Sequence, residues 1–184
     1  NYGGAVVINA SPNVAYFNYC VIDSNRTGAQ GNLFSNSRKM YVTNTTFVNN
    51  TSSGNMALIS WSSFSNTDTA FFINSTFSNN IAASPYAGLM VQGGVYSILN
   101  STFSGNNEPI RYQSMMSPPA MIVKNTIFNN TGTNFINNYY TTPAVYSRGG
   151  NVCIDTSFRA FLRDPRDIHG VDPMLNILAS NGAF

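Results

Sequence analysis

The chain has 184 residues, of which 43% are hydrophobic and only 9% are charged, with a formal net charge of +2. Soluble globular domains typically contain about 25% charged residues. With 13 Phe and 10 Tyr, the chain has too many aromatic residues for intrinsic disorder. It also has neither a basic run for nucleic acid nor a stretch of about 18 apolar residues for a membrane span. The composition therefore predicts one β-rich domain with an uncharged polar surface, no nucleic-acid partner and no membrane span.

A six-residue string with a central Asn recurs along the chain. Its copies lie at residues 42–47, 72–77, 98–103 and 123–128, and a degenerate copy lies at 17–22. The equivalent anchor positions are separated by 25, 30, 26 and 25 residues, and they are Tyr19, Asn44, Asn74, Asn100 and Asn125. Repeats of this length are typical of solenoids, in which each copy forms one coil.

Apolar residues occupy fixed positions around the anchor. The position two residues before it is always apolar, and the position three residues after it forms a predicted core stack of Phe47, Phe77, Phe103 and Phe128. The position one residue after the anchor is always small. Inward positions at −4, −2, +1 and +3 keep the strand period of two but change phase at the anchor. We therefore predict a bend there.

Two columns of Asn residues are predicted to form hydrogen-bonded ladders between coils. The anchor column contains Asn44, Asn74, Asn100 and Asn125. The second column, six residues after each anchor, contains Asn25, Asn50, Asn80 and Asn106, and Thr131 interrupts it. Asn tolerates left-handed backbone geometry, and its amide can donate to one neighbouring coil and accept from the other. We expect a structural role for both columns.

The strands that close each coil are predicted at residues 4–8, 32–34, 56–59 and 88–91, and later at 135–136 and 144–146. The pattern predicts an all-β fold, a right-handed parallel β-helix of about six to seven coils. Residues 1–148 would form the coils, and residues 149–184 would form a closing segment of the same domain. At about 4.8 Å per coil, the core would be about 30 Å long.

The repeat resembles that of right-handed parallel β-helix proteins related to the pectin-lyase fold, including bacterial surface proteins of the polymorphic outer-membrane type. The resemblance depends on Gly-Gly-Ala-Val at 3–6 and on the strings at 74–80 and 100–106. The tail, at 149–152, Asp164, 170–175 and 178–182, is similar to the segment that closes the solenoid in secreted, repeat-bearing bacterial proteins with a C-terminal anchor. The resemblance implies an extracellular or cell-surface location and a chain that lacks its anchor.

Polysaccharide lyases and hydrolases share that fold, so catalysis is the alternative to a structural role. Such enzymes need clustered carboxylates, for calcium or for acid and base catalysis. Asp23, Asp68 and Glu108 fall in different coils. The remaining acids alternate with basic residues in the tail, in the set Asp155, Arg159, Arg163, Asp164, Arg166, Asp167, His169 and Asp172. This alternation is typical of solvated ion pairs, so we predict no catalytic residue, metal or cofactor, and Asp172-Pro173 is expected to begin a turn.

Carbohydrate and ice binding are further alternatives. Trp61, Tyr86, Tyr112, Tyr139 and Tyr140 could stack on sugar rings, although packing is their expected use. Thr46, Thr76 and Thr102 share an outward phase that would suit ice, but Val21 and Ile127 interrupt the column.

Two kinds of covalent modification are suggested by the sequence. Glycosylation is predicted as possible at Asn9, Asn25, Asn49, Asn50 and Asn129, whereas the sequons at Asn44, Asn74 and Asn100 are expected to be occluded. Cys20 and Cys153 lie at opposite ends of the repeat, so we expect two free thiols, with a bond between neighbouring molecules as the alternative.

The function that the sequence favours is an extracellular structural or adhesive solenoid without catalysis. Open solenoid ends accept a further strand layer, so identical units would stack head to tail into a filament. The expected partners are copies of the chain or other surface proteins, with carbohydrate as a further candidate. The alternative function is a carbohydrate-binding or polysaccharide-degrading β-helix.

Overall fold

A computed structural model describes residues 6–8, 14–27, 34–36, 39–53, 59–62, 67–83, 89–92, 94–107, 110–112, 120–137 and 144–176. These residues contain strands and turns but no helix. Every pair of neighbouring strands is parallel, and each strand pairs with the equivalent strand of the next turn. The predicted all-β parallel solenoid is therefore confirmed.

Four parallel sheets run along the stack. The first contains β1 (Val6–Ile8), β5 (Phe34–Asn36), β9 (Ile59–Ser62), β13 (Leu89–Gln92), β16 (Ile110–Tyr112) and β19 (Phe135–Asn137). The second contains β2 (Val14–Asn18), β6 (Lys39–Thr43), β10 (Thr69–Ile73), β14 (Val95–Leu99), β17 (Ala120–Lys124) and β20 (Ala144–Ser147). The third contains β3 (Val21–Asp23), β7 (Thr46–Val48), β11 (Thr76–Ser78), β15 (Thr102–Ser104), β18 (Ile127–Asn129), β21 (Val152–Cys153) and β22 (Ile168–His169). The fourth contains β4 (Arg26–Thr27), β8 (Thr51–Ser52) and β12 (Ile81–Ala82).

The bend predicted at the anchor separates the second sheet from the third. Asn44, Asn74, Asn100 and Asn125 have φ angles of 50, 50, 50 and 48°. Asn is among the few non-glycine residues that adopt this left-handed geometry readily. The bend therefore forms at a residue type that tolerates it, and it produces the phase change read from the sequence.

The core follows the inward columns. Met40, Val42, Thr45 and Phe47 are all at most 1% exposed, at positions −4, −2, +1 and +3 from the anchor of their turn. The predicted Phe stack is confirmed, with ring centroids 4.9, 4.5 and 5.5 Å apart from one member to the next. The third sheet thus buries one continuous aromatic column.

Turns at the two ends differ from the predicted pattern. Four turns have the complete repeat string, fewer than the six to seven coils predicted, because the first three sheets gain strands from incomplete end turns while the fourth sheet has only three strands. Residues 4–5, 32–33, 56–58 and 88 of the predicted closing strands lie outside the described residues, and β5 and β9 extend past their predicted ends at 34 and 59. The closing segment begins as part of the stack, because β21 pairs with β18.

The rest of the closing segment covers the last turn. The Phe158 ring lies 4.5 Å from Phe128 and 4.5 Å from Phe135, and Leu162 is 2% exposed. Gly149, with φ of 82°, leaves space for Arg166, whose guanidinium would lie 2.6 Å from a Cβ at that position. The apolar interior of the solenoid is therefore closed at this end.

Candidate functional site

The second Asn column forms a buried ladder. The backbone N–H and Nδ2 of Asn50 both donate to Oδ1 of Asn80, at 3.1 and 2.9 Å. Nδ2 of Asn50 also donates to the Ile22 carbonyl at 2.8 Å, and its Oδ1 accepts two bonds from Asn25. The same pair of bonds joins Asn80 to Asn106. Because the amide groups are satisfied within the protein, they can be buried, and the predicted ladder is confirmed.

This ladder continues through Asn130, not Thr131. The N–H and Nδ2 of Asn106 donate to Oδ1 of Asn130 at 3.3 and 2.8 Å. The preceding turn has one residue with positive φ, Gly105, between its strand and its ladder Asn. In the fifth turn Asn129 ends β18 and the ladder residue follows directly. The predicted interruption at Thr131 is therefore wrong, because the bend is one residue shorter there.

The small residues after the anchors form a second ladder. The Ser75 hydroxyl accepts a bond from the Thr45 N–H at 3.3 Å and donates to the Ile73 carbonyl at 2.9 Å. The Ser101 hydroxyl does the same with the Ser75 N–H and the Leu99 carbonyl, at 3.2 and 2.9 Å. The sequence indicated small side chains here for steric reasons only. Their hydroxyls in fact satisfy backbone groups at the bend.

The anchor Asn side chains form a third, outward column. Nδ2 of Asn44 donates to Asn18 at 3.1 Å, Asn74 donates to Asn44 at 3.4 Å, and Asn125 donates to Asn100 at 3.1 Å. Asn74 and Asn100 are exposed. The predicted anchor ladder is present, but the expected occlusion of these two sequons is wrong, because the bend turns the amides toward solvent.

Each buried ladder ends on a carboxylate of the closing segment. The side chain of Asn134 continues the Asn ladder by accepting a bond from the Asn130 N–H. The backbone N–H of Asn134 then donates to Oδ2 of Asp155 at 2.8 Å. In the other ladder the Thr126 N–H donates to Asn151, and the N–H and Nδ2 of Asn151 donate to Oδ1 of Asp167 at 3.1 and 2.8 Å. An ionised carboxylate accepts hydrogen bonds and donates none. Asp155 and Asp167 therefore terminate the two series.

The environment of Asp155 shifts two pKa values in opposite directions. Burial alone would raise the pKa of Asp155, but bonds from the Cys153 thiol, the Asn134 N–H and Ser157 together hold that pKa below its usual value. Burial, followed by the bond to Asp155, raises the pKa of the Cys153 thiol to about 12. Cys153 is thus a buried thiol that donates a hydrogen bond to Asp155. With its pKa raised, it stays protonated and is a poor nucleophile.

The other ionisable tail residues hold the closing segment together. The hydrogen bond from exposed Arg166 lowers the pKa of Asp164 to about 2, and the two side chains form an ion pair at 2.8 Å. Nη2 of Arg166 also donates to the Arg148 carbonyl at 3.1 Å. Asp172 accepts a bond from the Met174 N–H at 2.8 Å, which confirms the predicted turn.

The acidic residues thus occupy separate structural positions. Asp155 and Asp167 end different ladders, Asp23 bonds to Ser24 in the first turn, and Glu108 lies outside the described residues. Within the described part of the chain, no group of three or more His, Cys, Asp or Glu side chains is placed to hold a metal ion. The capping role was missed by the sequence interpretation, although both acids follow the last turns closely.

The aromatic residues considered for sugar stacking are not available for it where they are described. Trp61 and Tyr112 are 0% exposed, and Trp61 packs edge-on against Tyr96 at 4.5 Å. That hypothesis is wrong for both residues because their strands turn them into the core. The other three candidates, Tyr86, Tyr139 and Tyr140, lie outside the described residues.

The predicted glycosylation positions differ in access. Asn49 is exposed, Asn129 is half-buried, and Asn9 lies outside the described residues. Asn25 is half-buried with its Nδ2 in the ladder. Asn50 is 0% exposed, so its prediction as a glycosylation site is corrected: its amide belongs to the ladder.

Two other expectations concern the Thr column and the cysteines. Thr46, Thr76 and Thr102 are register partners on the outward face, and the series is interrupted at Ile127 as expected. Both cysteines are free, with Cys20 half-buried.

Comparison of the chain with models of protein families, with curated proteins and with solved structures found no match in any of the three. A search of the described residues found no helix with the length and apolarity needed to cross a membrane.

Proposed function

We propose that the chain is an extracellular structural or adhesive solenoid without catalysis, related to the pectin-lyase-like and polymorphic outer-membrane-type repeat proteins. One observation supports this most strongly. The buried Asn ladder runs unbroken from Asn25 to Asp155, and Asp167 accepts two bonds from Asn151, so both of these tail carboxylates have structural partners. In this proposal the chain acts as a rigid rod that presents its outer faces.

The extracellular location is supported by the surface chemistry. Only 9% of the residues are charged, and in the central turns, between residues 39 and 133, most of the exposed residues that the structure describes are Asn, Ser or Thr. Asn49 and Asn129 remain accessible enough for glycosylation in a source that has the machinery. Secretion of the chain from eukaryotic cells, followed by mass spectrometry before and after treatment with an amide-cleaving glycosidase, tests whether Asn49 and Asn129 carry glycans.

Contacts between copies belong to the same proposal. Phe17 and Ile22 of the first turn are half-buried, whereas the equivalent Val42 and Phe47 are 1% exposed. The opposite end is covered by the closing segment around Phe158. A head-to-tail fibre would require that segment to move, so the covered end favours two copies joined through their first turns, an arrangement that closes on itself.

Sedimentation across a wide concentration range tests the contact between copies. We expect the molecular mass to stop rising at two copies. A continuous series of larger species would support the head-to-tail fibre instead, and a monomer at the highest concentration would contradict self-association altogether.

Release of reducing or unsaturated sugars from a panel of polysaccharides, with and without calcium, tests the enzymatic alternative. We expect no release by the wild-type chain. Turnover that disappears in a folded Asp167→Asn variant would overturn the proposal, because Asp167 would then act on substrate.

A further inference from the structure

The geometry points to a binding site for a neutral saccharide in a groove between the outward face of the third sheet and the C-terminal tail. The groove has a volume of about 360 Å³. Ligand sites commonly have volumes of about 300 to 1,000 Å³. This inference rests on the adhesive part of the proposed function, because it names the class of molecule that the rod would hold.

The floor of the groove is a small array of hydroxyl groups. Thr76 and Thr102 are register partners in β11 and β15, and so are Ser78 and Ser104. Neighbouring strands lie about 4.8 Å apart, and alternate residues of a strand about 6.7 Å apart. The four hydroxyl-bearing residues therefore mark the corners of a rectangle of these dimensions. Thr76, Thr102 and Ser104 are half-buried and can offer their hydroxyls to a ligand, whereas Ser78 is only 5% exposed.

The tail forms one wall of the groove. After β22 the Gly170 N–H bonds to the carbonyls of Cys153 and Asp155, and the turn at Asp172 follows. The chain then runs back along the stack until Leu175 lies over β11 and β15. Five residues of extended chain span about 16 Å, which matches the three strand spacings from β22 to β15.

The lining selects for a polyhydroxylated, uncharged ligand. Each of the three half-buried hydroxyls offers one donor and two acceptor positions, and the carboxamides of Asn79 and Asn176 at the rim offer both kinds. Leu175 supplies an apolar surface for the C–H face of a sugar ring. None of the described residues that line the groove is ionisable, so a charged ligand would find no counter-charge.

A peptide fits this floor less well. The backbone groups of β11 and β15 are paired with each other and with β7 and β18, so the face offers no free strand edge. Peptide recognition by strand addition needs such an edge. The floor presents side chains only, and these match the hydroxyls of a saccharide.

Titration of the full chain with neutral gluco-, manno- and galacto-oligosaccharides of two to four units tests the site, with sulfated and uronic acid oligosaccharides for comparison. We expect binding within the neutral group that is unchanged by an approximately tenfold increase in salt concentration. The double variant Thr76→Val and Thr102→Val, which removes hydroxyls at nearly constant volume, should bind at least about tenfold more weakly.

Thr46→Val is the matched control, because Thr46 occupies the same outward column one turn away and does not line the groove. It should bind like the wild type. Leu175→Lys should abolish binding. Because Leu175 lies outside all strands, this variant tests the site even if the double variant does not fold.

Unchanged binding in the groove variants would contradict the proposed site in the groove, while leaving an adhesive role elsewhere on the rod. Failure of every neutral oligosaccharide to bind would contradict the proposed saccharide site. The proposed function would still be tested separately by the sugar-release and sedimentation experiments.

Discussion

At the scale of single residues, Asn50, Asn80 and Asn106 solve the problem of burying polar groups at a bend. Each carboxamide accepts two bonds from one neighbour and donates to the next, and its second N–H reaches a backbone carbonyl. Few short side chains combine donors with an acceptor in this way. Replacement of one member therefore leaves donors of the previous turn without acceptors.

Asn80→Ala is predicted to lower the free energy of unfolding by roughly 2 to 4 kcal/mol, since the N–H and Nδ2 of Asn50 would lose their shared acceptor. Asn74→Gly is the control, because Asn74 is exposed and Gly adopts its φ of 50° without strain. It should cost less than about 1 kcal/mol. Urea unfolding followed by circular dichroism measures the free energy of unfolding of both variants. Equal decreases would show that the buried ladder stabilises the fold no more than the exposed anchor column does.

At the scale of strands and segments, the sequence predicted what repeats locally. The inward columns, the anchor bend and the Phe stack follow from residue spacing, because every turn obeys the same alternation. The shift to Asn130 was missed because a fixed spacing assumes bends of constant length. The caps at Asp155 and Asp167 were missed because their partners are set by which turn the segment covers, and no periodicity encodes that.

The third sheet provides a test of the inward column. Phe77→Ala is predicted to destabilise the fold by about 3 to 5 kcal/mol, because it removes a ring that stacks on Phe47 and Phe103 and leaves a cavity. Phe71→Ala is the matched control: its ring stacks on Tyr41 on the outward face of β10 and is only half-buried. Chemical denaturation should show a clearly smaller loss for Phe71→Ala, and the reverse order would contradict the assignment of the two faces.

The closing segment should make stability depend on acid through Asp155. Its pKa is lowered in the folded chain, so the folded state binds fewer protons than the unfolded state in the acid range. The stabilisation is present above the unfolded pKa of about 3.9 and is lost as the pH falls through the folded value. Asp155→Asn should therefore be less stable than the wild type at pH 7, with a difference that shrinks in acid. A difference in the free energy of unfolding between the two proteins that stays constant from neutral to acid pH would refute this role.

At the scale of the whole molecule, each turn contacts only its neighbours, so the two ends should decide how the rod opens. The first turn has half-buried inward residues, including Phe17 and Ile22. The last turn lies at the other end of the stack, yet Cys153 and Phe158 there are 0% exposed. Asp155 and Asp167 accept the hydrogen bonds of the last N–H donors in the two ladders. Local opening in a stack of this kind begins where the fewest contacts oppose it.

Amide hydrogen exchange is therefore predicted to be asymmetric. Peptides covering residues 14–27 should exchange at least about tenfold faster than those covering 69–80 and 94–107, which have paired turns on both sides. Peptides covering 144–153 should be protected nearly as well as the central turns, because the closing segment takes the place of a further turn. In Asp167→Asn this protection should fall while that of 69–80 stays constant, since the substitution replaces the acceptor of Asn151 with a mixed donor and acceptor. Equal fraying at both ends of the wild-type chain would mean that the segment lies on the last turn without stabilising it.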